Sequence, residues 1–400
     1  MNFAFSRTKS PRNGTAASLQ PYNFLSQRPS AHAMAAALDF LRDLIAFANQ
    51  FFPHPIAILR SYSFSPTDLA IEPQPSIDEQ LSSPSLLPRP TIDVLSYNVN
   101  NEAAHNPTRR RRIIRAIFSS GAHIILLQET NEVWEELLRD DAVALEYVYT
   151  YFHHPKSSER KAGGSAILSQ LPIDMDNIQI LDFSNKVSGS VFPVMVCDVS
   201  IPRHHLNTSS YVQRSSSSSR SNDDIIPVAI TIANVHLRPP VNLDGSAFLD
   251  TARKTEPIRI AEVKELLHHR PQEKSPKRQI DIIAGDFNEG DYDGAIRYLV
   301  QEENYTNALT QYVPCSKETH RWNYFGSFWQ LRKRLDHILW LNKNKSSSST
   351  RQRHDGKEGE LSLDCINCGV LSGYEYEASD HQPVMARFAI NIQHPGQNKQ

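Results

Sequence analysis

Cysteine is scarce in this chain: there are four in 400 residues, at positions 197, 315, 365 and 368. That is too few and too scattered for the disulfide framework of a small secreted domain, so a reducing, intracellular compartment is expected. Cys365 and Cys368 have the spacing of half a zinc knuckle, but no second pair and no nearby histidine pair completes four ligands, which leaves zinc the minor reading. Also missing is any run of the ~18 uncharged apolar residues that a bilayer span requires. Neither sign of charge dominates. The formal net charge is -2 and the pI about 6.8, which argues against gripping nucleic acid by bulk electrostatics while leaving room for a local basic groove. Acidic residues are absent from residues 1–38, where Arg7, Lys9, Arg12 and Arg28 stand among Ser and Ala. This is transit-peptide composition, so mitochondrial or plastid targeting is one expectation. A disordered leader on a cytoplasmic or nuclear protein is the other.

Within the leader, Leu38, Leu41, Leu44, Ile45 and Ala48 recur at helical spacing while Asp39, Arg42 and Asp43 break the apolar run. The pattern predicts an amphipathic helix over 34–52. Residues 61–90 are rich in Pro and Ser and read as a linker. The ordered domain is expected over 91–391, with 392–400 as a tail. Two Ser-rich segments, 203–224 and 343–360, lie between predicted strands and cannot bury enough apolar surface to order themselves, so they read as disordered insertions. From residue 91 onward strand and helix signals alternate: helices are expected over 108–118, 131–139 and 253–269, and strands over 122–128, 147–152, 165–169, 178–183, 191–199 and 280–285. Mixed elements with short turns predict a layered α/β fold.

What the chain does have is a series of polar residues at the tips of apolar runs. Asn98 follows Val94-Leu95-Ser96-Tyr97, Glu129 follows Ile124 to Gln128, and His236 follows Ile230 to Val235. Asp286 and Asn288 follow Ile282-Ile283-Ala284-Gly285, and Asp380-His381 precede Pro383-Val384. A strand that delivers a carboxylate or an imidazole at its tip positions chemistry more rigidly than a loop does. Gly285 permits a sharp turn, and Asp286 and Asn288, two apart, face one site if the chain stays extended. Taken alone, Gly285-Asp286-Phe287-Asn288 is equally an Asx turn, and an Asp-His pair is more often a turn or a satisfied core histidine. Asp336, in Arg334-Leu335-Asp336, offers a carboxylate that could orient the His381 imidazole as the third member of a catalytic triad does.

Together these blocks resemble the endonuclease/exonuclease/phosphatase superfamily, with its deoxyribonuclease I-like members. The likeness runs in order through Ser96-Tyr97-Asn98-Val99, Leu127-Gln128-Glu129, Gly163 to Ser169, Asn234-Val235-His236-Leu237, Gly285 to Asn288, Arg334-Leu335-Asp336 and Ser379-Asp380-His381. The resemblance implies an α/β fold, a four-layer α/β/β/α sandwich of two facing mixed β-sheets, with a site in a cleft at one end. It implies Mg²⁺, or Mn²⁺ in its place, bound by Glu129, with Asn98 and Asp380 completing or supporting the shell. His236 and Asn288 would hydrogen-bond the scissile phosphate, Asp286 would position or deprotonate the attacking water, and His381, held by Asp336, would act as general base or phosphate clamp. The implied reaction is in-line attack of water on a phosphate ester, without a covalent enzyme intermediate.

Substrate signals are weaker. Arg109 to Arg112 and Arg115 form a basic run in which Arg111 and Arg115 share a helix face; a solvated face is the usual explanation and phosphate contact the other. Trp322, Tyr324, Phe325, Phe328 and Trp329 are interleaved with Arg321, Arg332, Lys333 and Arg334, a composition that serves base stacking and core packing equally. Arg111, Arg115, Trp322 and Trp329 are therefore candidate substrate contacts. The chain departs from the marker elements of apurinic endonucleases, inositol polyphosphate 5-phosphatases, deadenylases and tyrosyl-DNA phosphodiesterases, so the resemblance implies a phosphodiesterase or nuclease and no particular substrate. Nucleic acid is expected ahead of inositol phosphate or a phospholipid headgroup, the chain is expected to be a monomer, and the competing reading is a catalytically inactive binding module.

Overall fold

Strands buried on both faces read as unbroken apolar runs, and strands buried on one face as alternating ones. The long runs of this chain are of the first kind. The computed structural model describes residues 89–154, 158–202, 228–241, 251–269, 279–313, 317–324, 329–343 and 360–393. The leader, its helix over 34–52 and nearly all of the two Ser-rich insertions lie outside the described residues. In chain order the strands are β1 (Thr91–Asn98), β2 (Ile124–Thr130), β3 (Tyr149–His153), β4 (Gly164–Ser169), β5 (Gln179–Leu181), β6 (Val194–Ile201) and β7 (Val228–His236). There follow β8 (Ile282–Asp286), β9 (Tyr305–Asn307), β10 (His320–Tyr324), β11 (Trp329–Lys333), β12 (Asp336–Leu341), β13 (Glu360–Val370) and β14 (Val384–Gln393). The helices are α1 (Pro107–Ser119), α2 (Glu132–Ala144), α3 (Thr251–His268), α4 (Gly294–Gln301) and α5 (Ala308–Tyr312).

Two six-stranded sheets result, ordered β13-β14-β1-β2-β4-β3 and β5-β6-β7-β8-β12-β9, with β10-β11 as a separate hairpin. Each large sheet contains one parallel pair, β1 with β2 and β7 with β8. A parallel pair needs a crossover between its strands, and α1 and α3 lie on these two crossovers. Pro107 opens α1, and the Asn106 side chain accepts from the backbone N–H groups of Thr108 and Arg109. Sequence spacing favours Thr108 as this cap. Asn106 takes the role because Pro107, lacking an N–H, fits the first helical position and moves the start upstream.

Side chains alternate between two buried surfaces. Val94, Ile124, Leu126 and Ile167 of one sheet pack against Met195, Ile232, Ile282, Ala284 and Ile338 of the other in the central core. The intervening Leu95, Tyr97, Ile125 and Leu127 point outward onto Ile113 and Ile117 of α1 and Trp134 and Leu138 of α2. On the far side, Val235 and Ile283 meet Val263 and Leu266 of α3 and Ile296 and Leu299 of α4. The layers are helix, sheet, sheet, helix, as the resemblance implies. Each fully buried Leu or Ile contributes about 1.5–3 kcal/mol, so three such clusters give the strand ends a stiff base. Cys365 and Cys368 sit on β13 in the central core. Burial pushes the Cys365 thiol up to about 12 and Cys368 higher still, and among the described residues neither belongs to a group of three ligand side chains that could share an ion.

Candidate active site

At the end of β2 the pairing with β4 slips: Gln128 faces Ser165 and Thr130 faces Gly164, and Glu129 is the extra residue between them. A bulge of this kind re-aims a side chain out of the pleat. Glu129 adopts φ 58°, a left-handed backbone that costs a non-glycine residue about 1–3 kcal/mol. Gly164 permits the close approach, since a Cβ there would lie 1.9 Å from the Thr130 carbonyl oxygen. The redirected carboxylate accepts from Asn98 Nδ2 at 3.0 Å and from the Asn101 backbone N–H at 3.3 Å.

Asn98 ends β1 and connects the two sheets. Its Nδ2 also donates to Asp286 Oδ2 at 3.1 Å, while its Oδ1 accepts from the Asn100 N–H at 3.1 Å. The amide therefore braces two carboxylates. On β8, Gly285 has φ 148° and a Cβ there would fall 1.9 Å from the Val235 carbonyl oxygen; only glycine lets the parallel neighbour come so close. Asp286 Oδ1 accepts from the Asn288 N–H at 2.8 Å, and Asn288, at φ 54°, donates from Nδ2 to the Leu237 carbonyl at 3.0 Å.

The register aligns His236, Asp286 and Asp336 in one row across β7, β8 and β12. His381 enters from the loop before β14, with Nδ1 at 2.8 Å from Asp336 Oδ2 and 3.1 Å from Oδ1. Asp336 is wholly buried, and its N–H and that of Leu335 both donate to Thr319 Oγ1. Asp286 Oδ2 stands between two imidazoles, 3.6 Å from His381 Nε2 and 3.6 Å from His236 Nε2. The other nitrogen of His236 lies 3.2 Å from the Ala162 carbonyl. A carbonyl only accepts, so this Nδ1 carries the proton and Nε2 presents a lone pair. The Phe192 ring stacks on His236 at 4.2 Å.

Burial disfavours charge on every group here, and the neighbours decide how far each is moved. Burial pulls the His381 imidazole down, but the carboxylates of Asp336, Asp286 and Asp380 overcome it and hold the group well above its ordinary value. His236, buried and beside the charged His381, falls to about 3. Burial and the Asp336 charge push Asp286 up to about 7 against the pull of His381. Burial also raises Glu129, the Asn98 hydrogen bond opposing it and the Asp380 charge adding to it. Asp380 itself is held low: burial raises it, but His381, the Asn100 amide and His320 outweigh that.

Glu129, Asp286 and Asp380 are thus oxygen donors in a pocket whose charged imidazole does not neutralise them, and two of the three are held above the ordinary carboxylate range. A hard divalent cation with oxygen ligands suits that donor set. Among the described residues, Asp286, Asp336 and His381 also form a group whose ligand atoms lie close enough to share an ion.

All eight residues assigned from the resemblance to metal and catalysis stand at these strand ends, and contacts link Asn98, Glu129, Asp286, Asn288, His236, His381 and Asp336. Asp380 joins through Asn100, whose Nδ2 donates to its Oδ1 at 2.9 Å. The candidate substrate residues are placed differently. Arg115 is exposed and pairs with Glu375 at 2.7 Å. Arg109 donates to the Ala378 carbonyl at 2.8 Å, and Arg112 donates to the Tyr374 carbonyl and lies over the Tyr374 ring. These arginines of α1 hold the segment that leads into Asp380. Arg111 is exposed on the same helix. Trp322 and Trp329 belong to the β10-β11 hairpin, and their side chains lie outside the described residues.

Several contributors escape the sequence reading. Asn100, Thr319 and His320 support the site from loops or a strand start. Gln128 and Asn234 join the sheets directly beneath it: Gln128 Nε2 donates to Asn234 Oδ1 at 2.7 Å, and Asn234 Nδ2 donates to the Leu127 and Ala166 carbonyls. An amide inside an otherwise apolar run is the signal that could have exposed both.

No curated protein sequence matches this chain. Among solved structures, the human Nocturnin catalytic domain with bound sulfate is 16% identical, with a TM-score of 0.47 over 76% of this chain and 97% of that one. TDP2 from D. rerio, in complex with a single-strand DNA product, is 12% identical, with a TM-score of 0.47 over 74% of this chain and 98% of that one. The strand ends that carry Asn98, Glu129, His236, Asp286, Asp336 and His381 all fall within residues 95–381, which match the model of the Endonuclease/Exonuclease/phosphatase family; with well over half its length so matched, the chain belongs to that family of phosphoric ester hydrolases.

Proposed function

We propose that the chain is a Mg²⁺-dependent phosphodiesterase, nuclease-like in its substrate, in which Asp286 activates water and His381 carries positive charge against the phosphoryl group. The observation behind this reading is the placement of Asp286 Oδ2 within 3.6 Å of an imidazole whose far side is held by the buried Asp336. Glu129, with Asp380 and with Asn98 as its brace, would hold the cation, which when bound supplies charge stabilisation for the phosphate oxygens and acidifies a water. Asp286, with its raised proton affinity, takes the proton of the attacking water. His381, kept charged by Asp336, donates from Nε2 to a phosphoryl oxygen. His236 has its N–H directed at Ala162 and offers a lone pair, so it accepts a hydrogen bond from water rather than donating to phosphate. Asn288 keeps one amide hydrogen for the phosphate beyond the one given to Leu237.

Nucleic acid is favoured over inositol phosphate or a lipid headgroup by the position of the β10-β11 hairpin. His320, the first residue of β10, bridges by backbone to His381. The segment bearing Arg321, Trp322, Trp329 and Arg332 therefore grows from the rim of the site, where basic and aromatic residues can follow a strand of nucleotides. The test is turnover of the full chain with Mg²⁺ on single-stranded DNA, RNA, 5′-tyrosyl DNA and an inositol phosphate, alongside two variants. Glu129→Gln should weaken Mg²⁺ binding, whereas His381→Ala should reduce turnover by about 10²–10⁴-fold with metal affinity nearly intact. Equal loss of metal in both, or no turnover on any substrate, overturns the assignment.

A further inference from the structure

We propose that His320, Asp380 and His381 form a second cation site, which shares Asp380 with the oxygen site at Glu129 but differs from it in offering two imidazoles, and that takes Zn²⁺ or another nitrogen-seeking transition metal. The three residues offer ligand atoms that all lie within 4.8 Å of one another. His320 Nε2 stands 4.0 Å from Asp380 Oδ2, and the two imidazole rings are 4.4 Å apart with a 57° tilt. The two segments are tied by backbone. His320 and His381 form an isolated β-bridge, the Arg321 N–H donates to the Asp380 carbonyl at 3.0 Å, and the Gln382 N–H donates to the Thr319 carbonyl at 2.6 Å. The ligands are therefore positioned before any ion arrives.

The remaining polar atoms of His381 and Asp380 are already fixed in the way that metal ligands require. His381 Nδ1 bonds Asp336, which leaves Nε2 as the ligating nitrogen, the arrangement in which a carboxylate orients a metal-bound imidazole. Asp380 Oδ1 accepts from Asn100, which leaves Oδ2 facing His320. The imidazoles are nearly enclosed while the Asp380 side chain is 41% exposed, which gives an ion its way in. Tetrahedral zinc with bonds near 2.0–2.1 Å sets its ligands ~3.3 Å apart, so each side chain needs to shift by less than about 1 Å. Two imidazoles and one carboxylate leave an open position, and that set selects Zn²⁺, Co²⁺ or Ni²⁺ over Mg²⁺, which binds oxygen and keeps its waters. An ion here occupies the His381 Nε2 lone pair and sends the proton of that nitrogen to solvent. Zinc at this site therefore withdraws His381 from the role assigned to it above, although the binding itself does not depend on that role.

The experiment is calorimetric titration of the full chain with Zn²⁺, with and without millimolar Mg²⁺, together with the visible spectrum of the Co²⁺-loaded protein. One Zn²⁺ per chain is expected, resisting excess Mg²⁺. His320→Asn should weaken it at least about tenfold and abolish the Co²⁺ bands, and Glu129→Gln should retain both. If His320→Asn does not fold, as judged by its melting curve, His320→Gln and Asp380→Asn serve in its place. Unchanged zinc affinity in these variants, displacement by Mg²⁺, thiolate charge-transfer bands from Cys365 or Cys368, or no binding at all would each overturn the proposal. No arm requires a substrate, so failure of the hydrolase reading and failure of this one are told apart.

Discussion

Two imidazoles stand at the same distance from one carboxylate and hold protons with opposite strength. His381 and His236 each place Nε2 at 3.6 Å from Asp286 Oδ2, and both are buried. The first is driven well above its ordinary range and the second down to about 3. What differs lies behind the rings. His381 has the Asp336 carboxylate at 2.8 Å, whereas His236 has the neutral Ala162 carbonyl at 3.2 Å and an aromatic ring on its face. Facing the same acid does not set the charge of a histidine: burial pulls both imidazoles down, the carboxylates around His381 overcome it, and at His236 the charged His381 adds to it while the Ala162 carbonyl opposes it only weakly.

Asp336→Asn erases that difference most directly. With an amide behind it, His381 loses the charge that outweighs its burial, and turnover should fall by as much as about 10⁴-fold, with the ring becoming neutral at pH 7 by NMR. A ring that stays charged would mean that Asp286 and Asp380 suffice. Gly285→Ala attacks what the two histidines share, since the added Cβ meets the Val235 carbonyl and the backbone is left at φ 148°. Denaturant unfolding should show a loss of about 3 kcal/mol, and wild-type stability would contradict the close approach. Phe192→Leu sharpens the other side: with the stacked ring gone, water reaches His236 and its pKa should climb from about 3 by one or two units. No change in its NMR titration would assign the depression to His381 alone.

The smallest expected effect is thermal. Asp286 has a folded pKa raised to about 7, above its unfolded value, so the folded state binds the proton more tightly. The stability this gives is present at low pH and is lost as pH rises toward 7. A cation that offsets the buried charge should therefore raise Tm more at about pH 8 than at about pH 5.5, by about 2–4 °C per kcal/mol of stabilisation. An equal shift at both pH values would show that the cation does not meet Asp286.

Much of this site could be read from residues in order, because each polar group adjoins an apolar run, before it or after it, whose burial leaves it few places to go. Asn98, Glu129, His236 and Asp286 end the parallel pairs, where α/β sheets present their ligand-binding ends. The geometry that distinguishes the histidines could not be read. The Glu129 bulge exists only in the pairing of β2 with β4, and the Ala162 contact depends on a backbone carbonyl that any residue supplies. His320 is five residues from Cys315 and far along the chain from His381, and nothing in its neighbourhood marks it; the bridge between them is a tertiary fact. The arginine run of α1 carries the opposite lesson. Its composition points to phosphate, while its contacts with Tyr374, Glu375 and Ala378 show it steadying the approach to Asp380.

The order of strands in the first sheet has one more consequence. β14 lies between β13 and β1, so the first strand of the domain finds its antiparallel neighbour only after almost three hundred residues have left the ribosome. Until that moment β1 has an open edge, and Asp380 and His381, which immediately precede β14, cannot reach Asp336 or Asn100. Pairing over so great a separation is slow, and the newborn chain's catalytic constellation stays incomplete until its closing strand slots home.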